Sequence, residues 1–261
     1  MGITLEPNAP ALDAAVFIAP FASDTILLFM GGFLLSAAIT KHGIDRVIAG
    51  KILQPFARSP LLLLFGVLGL TAFLSMWMTN TATAAMMIAM VRIVAGALPE
   101  DEKDRFQRAL LLAVPFGANI GGVGTPIGTP PNAIGFGALN AAGYDVTFLR
   151  WMVVMVPVEI VMLAIVGFLL YALFKPSPGL KLPTIEPPQK LTANTILTLL
   201  ILATTITLWL TSGFHGVKPG VVALLATTAL AALGVIDGDD VNSIKWNVLI
   251  LMWGSLSLGV A

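Results

Sequence analysis

The sequence contains no cysteine, which removes disulfides, thiolate metal ligands and cysteine nucleophiles in one step. Histidine is nearly as scarce. His42 and His215 stand alone in or beside charged loops, with no second histidine or carboxylate at helical spacing to complete a metal site. Charge is the third shortage: 11% of residues are charged and the formal net charge is zero, against about a quarter charged in a soluble domain. A chain without basic excess has no nucleic-acid footprint, so no nucleic-acid partner is expected. The first residues also lack a basic stretch followed by a short apolar run and a small-residue cleavage site, and no signal peptide is read there.

What is present is apolar. Hydrophobic residues make up 57% of the chain, in uncharged runs at 25–40, 59–91, 109–144, 191–214, 219–236 and 246–261, with 150–174 interrupted only by Glu159. Runs of this kind separated by short charged loops predict an all-α polytopic membrane protein whose solvent is the lipid bilayer. Lys41, Arg46, Lys51 and Arg58 mark an inner segment whose pattern at Ile44, Val47, Ile48, Ile52 and Leu53 suits a helix lying in the interface. The loop 175–190, basic and broken by Pro176, Pro178, Pro183, Pro187 and Pro188, is read as inner too and as non-helical. By parity 100–108 is inner, and Asp145 and His215 fall outside.

Two runs have awkward lengths. As a single helix, 59–91 would extend about 50 Å across a hydrocarbon core of about 30 Å, yet it is short for two full spans. A re-entrant hairpin over 59–97 fits, with its turn at the polar patch Thr79, Asn80, Thr81 and Thr83. The run 109–144 is also too long for one straight span, and its middle holds Gly117, Gly121, Gly122, Gly124, Pro126, Gly128, Pro130 and Pro131. A membrane helix over 109–142 is therefore expected to be broken, which is tolerated only where the freed backbone is buried or lines a polar cavity. Such breaks form binding sites in secondary transporters. Met86, Met87 and Met90 are read as packing.

Each break precedes a helix. After Thr79-Asn80-Thr81 the residues are good helix formers, so Thr or Asn stands where an N-cap is wanted; Thr129 is placed as an N-cap with Pro130 at the first helical position. Helix starts offer unpaired N–H groups and the positive dipole end, which attract anions. The hydroxyls of Thr81 and Thr129 and the Asn80 amide can hydrogen-bond a carboxylate, and freed carbonyls can coordinate a hard cation such as sodium. Neither run contains an Asp, Glu, Lys, Arg or His, which favours sodium over proton coupling, since proton coupling ordinarily uses a buried titratable group. Glu159 is taken as a structural or interfacial carboxylate, with a coupling group as the alternative. Caps, interhelical hydrogen bonds and close packing at Gly117-x-x-x-Gly121 and Gly124-x-x-x-Gly128 are the competing explanation for these polar and small residues.

An internal match pairs 24–38 with 247–261, aligning Leu28 with Leu251, Gly31 with Gly254, Leu35 with Leu258 and Ala38 with Ala261. The two copies would run in opposite directions, as expected of an inverted-repeat secondary transporter, although hydrophobic helices often match this well by chance. The expected organisation is a scaffold-type membrane helix and interfacial helix over 1–58, a transport core over 59–144, further membrane helices over 148–235, and the start of a second repeat over 236–261.

The stretch Leu74-Ser75-Met76-Trp77-Met78-Thr79-Asn80-Thr81-Ala82-Thr83 and the stretch Gly121-Gly122-Val123-Gly124-Thr125-Pro126-Ile127-Gly128-Thr129-Pro130-Pro131-Asn132 resemble the hairpin motif and the unwound helix of the divalent anion/sodium symporters. The resemblance implies that Ser75, Thr79, Asn80 and Gly128 surround a co-transported sodium ion, and that Asn80, Thr81 and Thr129 face the substrate carboxylate. Thr79 stands where the family usually has serine. The resemblance further implies sodium-coupled transport of C4-dicarboxylates such as succinate, malate and fumarate, by an elevator-type homodimer in the cell membrane. Sulfate or citrate transport, anion exchange, or a non-transporting membrane scaffold are the alternatives. The family's second hairpin motif would fall at about position 303 by the repeat offset, so a fragment truncated at both ends is expected. No enzyme is expected, because paired acids, a Ser-His pair and a zinc constellation are all missing from the membrane runs.

Overall fold

A computed structural model of the chain describes residue 15 and residues 18–103, 105–180, 182 and 192–260, with backbone only at 259 and 260. The described residues form helices and connecting turns. The principal helices are α1 (Asp24–Lys41), α2 (Ile44–Phe56), α3 (Pro60–Ser75), α4 (Asn80–Gly96), α5 (Phe106–Gly121), α6 (Pro130–Ala141), α7 (Phe148–Leu173), α8 (Ala193–Leu210), α9 (Pro219–Ala232) and α10 (Trp246–Val260). Three of them, α1, α7 and α8, are long and apolar enough to cross a membrane.

Local chemistry sets the boundaries. Ser23, Ser59, Thr147 and Thr192 cap α1, α3, α7 and α8 by accepting from the backbone N–H three residues on, which satisfies one of the orphan donors of each helix start. Pro60, Pro130 and Pro219 stand at the first position of α3, α6 and α9, where a missing N–H costs nothing. Between α1 and α2 the chain turns on Gly43 at φ 64, a left-handed conformation that a side chain resists. The interfacial pattern read at 41–58 becomes α2, which buries Ile44, Ala49 and Leu53 and leaves Arg46, Lys51 and Arg58 exposed. Past α7, Lys175, Pro176 and Ser177 are irregular; Pro183, Pro187 and Pro188 of the expected inner loop lie outside the described residues.

The run 59–91 is divided between α3 and α4, joined by the turn 76–79. Each arm is about 25 Å long, short of a hydrocarbon core of about 30 Å. The second awkward run is divided into α5, an unwound segment 122–129, and α6. α3 and α5 pack side by side and parallel, because Gly117 meets Leu68 and Thr71 while Gly121 meets Ala72. A Cβ on Gly117 would stand 2.6 Å from the Leu68 carbonyl oxygen, and one on Gly121 would overlap the Ala72 backbone. Close packing is therefore the use of this first glycine pair. Small residues at such seams suit membrane helices, whose association draws on packing contacts rather than on exclusion of water.

Two cores result. One gathers Leu53, Leu63, Leu64, Leu68, Met87, Val91, Phe106 and Leu110 from α2 to α5, and Leu170 from the end of α7. The other gathers Leu28, Phe29, Leu35, Phe136, Trp209, Ala223, Leu249 and Met252 from α1, α6, α8, α9 and α10, and Phe148 and Trp151 from the start of α7. α7 thus belongs to both. Its outer face exposes Val153, Val154, Val158, Ile160, Val161, Ile165, Phe168 and Leu173, a surface whose natural environment is hydrocarbon. The segments paired as a repeat, 24–38 and 247–258, are both helical, but their aligned glycines differ in use: a Cβ on Gly31 would strike Ala223, whereas Gly254 faces open space.

Candidate functional site

Because α3 and α5 run parallel, their C-terminal ends lie together, and the two breaks that follow them meet. Ser75, the last residue of α3, is fully buried. Its hydroxyl lies 2.8 Å from Asn80 Oδ1 and 2.7 Å from the Ala118 carbonyl oxygen of α5. A hydroxyl has one proton to give, so these two contacts share it. Thr125 Oγ1 donates to the Met76 carbonyl oxygen at 2.5 Å, joining the long break to the short one.

At the short break Thr79 is extended (φ −67, ψ 141) and accepts from Ala82 N at 3.3 Å, so Thr79 is the N-cap of α4 and Asn80 its first residue. The Asn80 amide is turned by two partners: Oδ1 faces Ser75, and Nδ2 donates to Asn119 Oδ1 at 3.3 Å. Asn119 is exposed on the last turn of α5, and among the described residues its own NH2 makes no hydrogen bond. Sequence reading passed over Asn119, whose only signal was its place in the turn before Gly121. Thr81 is exposed on the first turn of α4, and Thr83 is buried with a hydroxyl that finds no partner.

At the long break Thr129 is extended (φ −150, ψ 147) and opens α6, but its side chain makes no capping bond. The brace is Asn132. Its Nδ2 donates to the carbonyl oxygens of Gly122 at 2.8 Å, Thr125 at 2.8 Å and Val123 at 3.3 Å. Trp151 Nε1 of α7 donates to the Val123 carbonyl oxygen at 3.1 Å. Gly128 lies on the Gly122 carbonyl, and Gly122 lies against the Asn80 amide, so the predicted residues Ser75, Asn80 and Gly128 form one chain of contacts. No hydrogen bond among the described residues joins Thr81 or Thr129 to that chain.

The tip is anchored on its other side. Met78 packs with Ile39 and Ile44, while the Trp77 ring stacks on Phe148 at 6.3 Å and Phe148 on Trp209 at 5.1 Å. Beside Thr79 opens a cavity of about 340 Å3, lined by Phe33, Ser36, Thr40, Lys41, Asp240 and Lys245 among others. Lys41 is clasped there by Asp237 at 2.8 Å and Asp240 at 2.6 Å. The Lys41 ammonium and the Asp240 backbone N–H hold the Asp237 carboxyl below its ordinary range.

The structure also brings an acid to the break that neither awkward run supplies: Glu159 of α7 is buried, and its Oε2 lies against Gly124. The histidines are held by backbone groups, His42 Nε2 by the Val235 carbonyl at 2.8 Å and His215 Nε2 by the Leu208 carbonyl at 2.9 Å. Among the described residues, no three His, Cys, Asp or Glu side chains cluster to hold a metal.

What this arrangement can do is bind without a fixed charge of its own. Two helix starts offer N–H groups and positive dipole ends to an anion, and the freed carbonyls and hydroxyls suit a hard cation.

A family model described as a citrate transporter matches residues 1–261. An uncharacterized transporter of Haemophilus influenzae is 33% identical over 253 residues, covering 91% of this chain and 54% of that protein. The sodium-dependent dicarboxylate transporter SdcS of Staphylococcus saprophyticus is 29% identical over 290 residues, and that of Staphylococcus aureus strain USA300 is 30% identical over 293; each alignment covers 98% of this chain and 56% of the relative. The chain spans about half the length of these curated relatives.

Proposed function

The chain belongs to the citrate transporter family, and from that premise we propose that the protein carrying it takes up a small divalent anion together with sodium. The observation that carries this reading is the meeting of two helix starts, at Thr79 and Thr129, around the Ser75–Asn80–Asn119 hydrogen-bond chain. Sodium is assigned to Ser75, Thr79, Asn80 and Gly128. The Thr79 hydroxyl, though it caps α4, retains a lone pair for an ion. The anion is assigned to Asn80, Thr81 and Thr129, to which the geometry adds the NH2 of Asn119. With no cationic side chain among these residues, dipoles and the co-bound ion balance the anion.

The substrate is assigned as a C4-dicarboxylate, succinate, malate or fumarate, because the SdcS relatives are named for sodium-dependent dicarboxylate transport. Citrate is the second reading, supported by the description of the matching family. The hairpin α3–α4 is assigned a re-entrant course, with its tip inside the bilayer. The wider scheme is an inverted repeat moving by an elevator in a homodimer of the cell membrane.

Uptake of labelled succinate into proteoliposomes carrying the protein should require an inward sodium gradient. Equal uptake when potassium replaces sodium would refute the coupling, and citrate outcompeting succinate would decide for the second reading. Asn80→Ala should abolish uptake; an undiminished rate would move the site elsewhere.

A further inference from the structure

Glu159 stands in the middle of α7, and only 6% of it is exposed. Its Oε2 is buried and finds no hydrogen-bond partner among the described residues. A carboxylate in that condition within an apolar helix is costly unless it is neutralised. Among the described residues, no cation neutralises it. α3, α6, α8 and the break 122–129 contain no ionisable side chain. α5 contains only Arg108, in its first turn and at the opposite end from Gly121. On α7 itself, Arg150 is exposed and paired with Asp145 at 2.9 Å, and Tyr171 lies in the last turns.

What Oε2 meets instead is backbone. It crowds the point where Gly124 would carry a Cβ, with Met76 Cε 3.0 Å and the Gly121 carbonyl oxygen 3.3 Å from that point. Any side chain at 124 would occupy the carboxyl's place. We propose that Glu159 is a proton-binding site: the carboxyl carries a proton while it rests on Gly124, and loss of that proton drives it off the unwound segment 122–129. A proton needs no coordination shell, which suits an oxygen already pressed against the chain. The Gly121 carbonyl presents the negative end of its dipole beside this point. A neutral carboxyl can lie there, whereas an ionised one is repelled. Protonation of Glu159 therefore favours the braced arrangement in which Asn132 and Trp151 hold the break. This inference is independent of the sodium and anion assignments, and its failure would leave them untouched.

The test compares the purified protein with Glu159→Gln in thermal unfolding between about pH 5 and 9, a window above the titration of ordinary carboxyls. The neutral form is the one folded against the break, so the Tm of the unaltered protein should fall as pH rises through this window. The Gln variant, permanently neutral, should lack that fall, and subtracting the two curves removes the common contribution of His42 and His215. Parallel curves would overturn the proposal, as would a sodium-induced Tm shift lost in the variant without any difference in pH dependence. Should the Gln variant not fold, infrared difference spectra of the unaltered protein across the same window decide: a protonated carboxylic C=O band lost at high pH supports the proposal, and its absence overturns it.

Discussion

The break at 76–79 ends on a helix start capped by its own threonine, whereas the helix start that ends the break at 122–129 has no side-chain cap and is held from α6 and α7. Thr79 caps α4 directly, and Asn80, one residue on, is fixed by Ser75 and Asn119. The longer break has more freed carbonyls than local side chains can reach. Its cap residue Thr129 makes no capping bond, and the carbonyls are gathered by Asn132 from α6 and by Trp151 from α7. The lesson is that a helix start can be stabilised or left available. At the first, the threonine hydroxyl is engaged; at the second, it makes no capping bond.

The contrast can be broken at three places. The largest effect is expected for Asn132→Ala, which removes the side-chain donor from the Gly122 and Thr125 carbonyls, while the Val123 carbonyl keeps Trp151; this loss should cost roughly 3 kcal/mol, read as a fall in Tm in detergent. A cost comparable to an exposed substitution would show that the long break holds itself. Next comes a paired measurement: Thr79→Ala should lose about 1 kcal/mol with its cap, while Thr129→Ala should stay within about 0.5 kcal/mol and instead weaken the Tm shift produced by succinate with sodium. Equal losses at the two sites would erase the distinction. Smallest is the clasp beside the cavity. Because the Lys41 ammonium holds the Asp237 carboxyl below its ordinary range, the clasp contributes above that range and is lost as pH falls below about 4. Lys41→Ala should flatten that acid limb of the Tm curve, and added salt should do the same in part, since these groups are exposed.

How much of this was legible in the sequence follows the reach of each interaction. The Thr79 cap and Pro130 at the head of α6 were readable, because capping and proline geometry act within one turn; the hairpin turn, expected at Thr79, Asn80, Thr81 and Thr83, falls instead at 76–79, since Asn80 to Thr83 already form the first turn of α4. The meeting of the two breaks was not, since it depends on Gly117 and Gly121 letting α5 settle parallel on α3. Once that packing is known, Asn119 becomes the partner of Asn80. Glu159 and Trp151 were hidden for the same reason: both reach the break from a helix whose own sequence reads as a plain membrane span. The competing packing explanation held for Gly117 and Gly121 at a helix seam, and Gly124 and Gly128 are also close contacts, against Glu159 and the Gly122 carbonyl, but inside the unwound segment rather than between helices.

The membership of α7 in both cores has a mechanical side. Its first turns are locked to Phe136 and Trp209, its last turns to the hairpin body, and between them Pro157 withholds the donor that would bind the carbonyl one turn back. If the hairpin body slides against the other core, α7 has to absorb the offset by flexing, and its softest point is Pro157. That hinge lies within a turn of Glu159, so a bend there would lift the acid from Gly124, and α7 would act as a strut that reports the position of one half of the molecule to the loop held by the other.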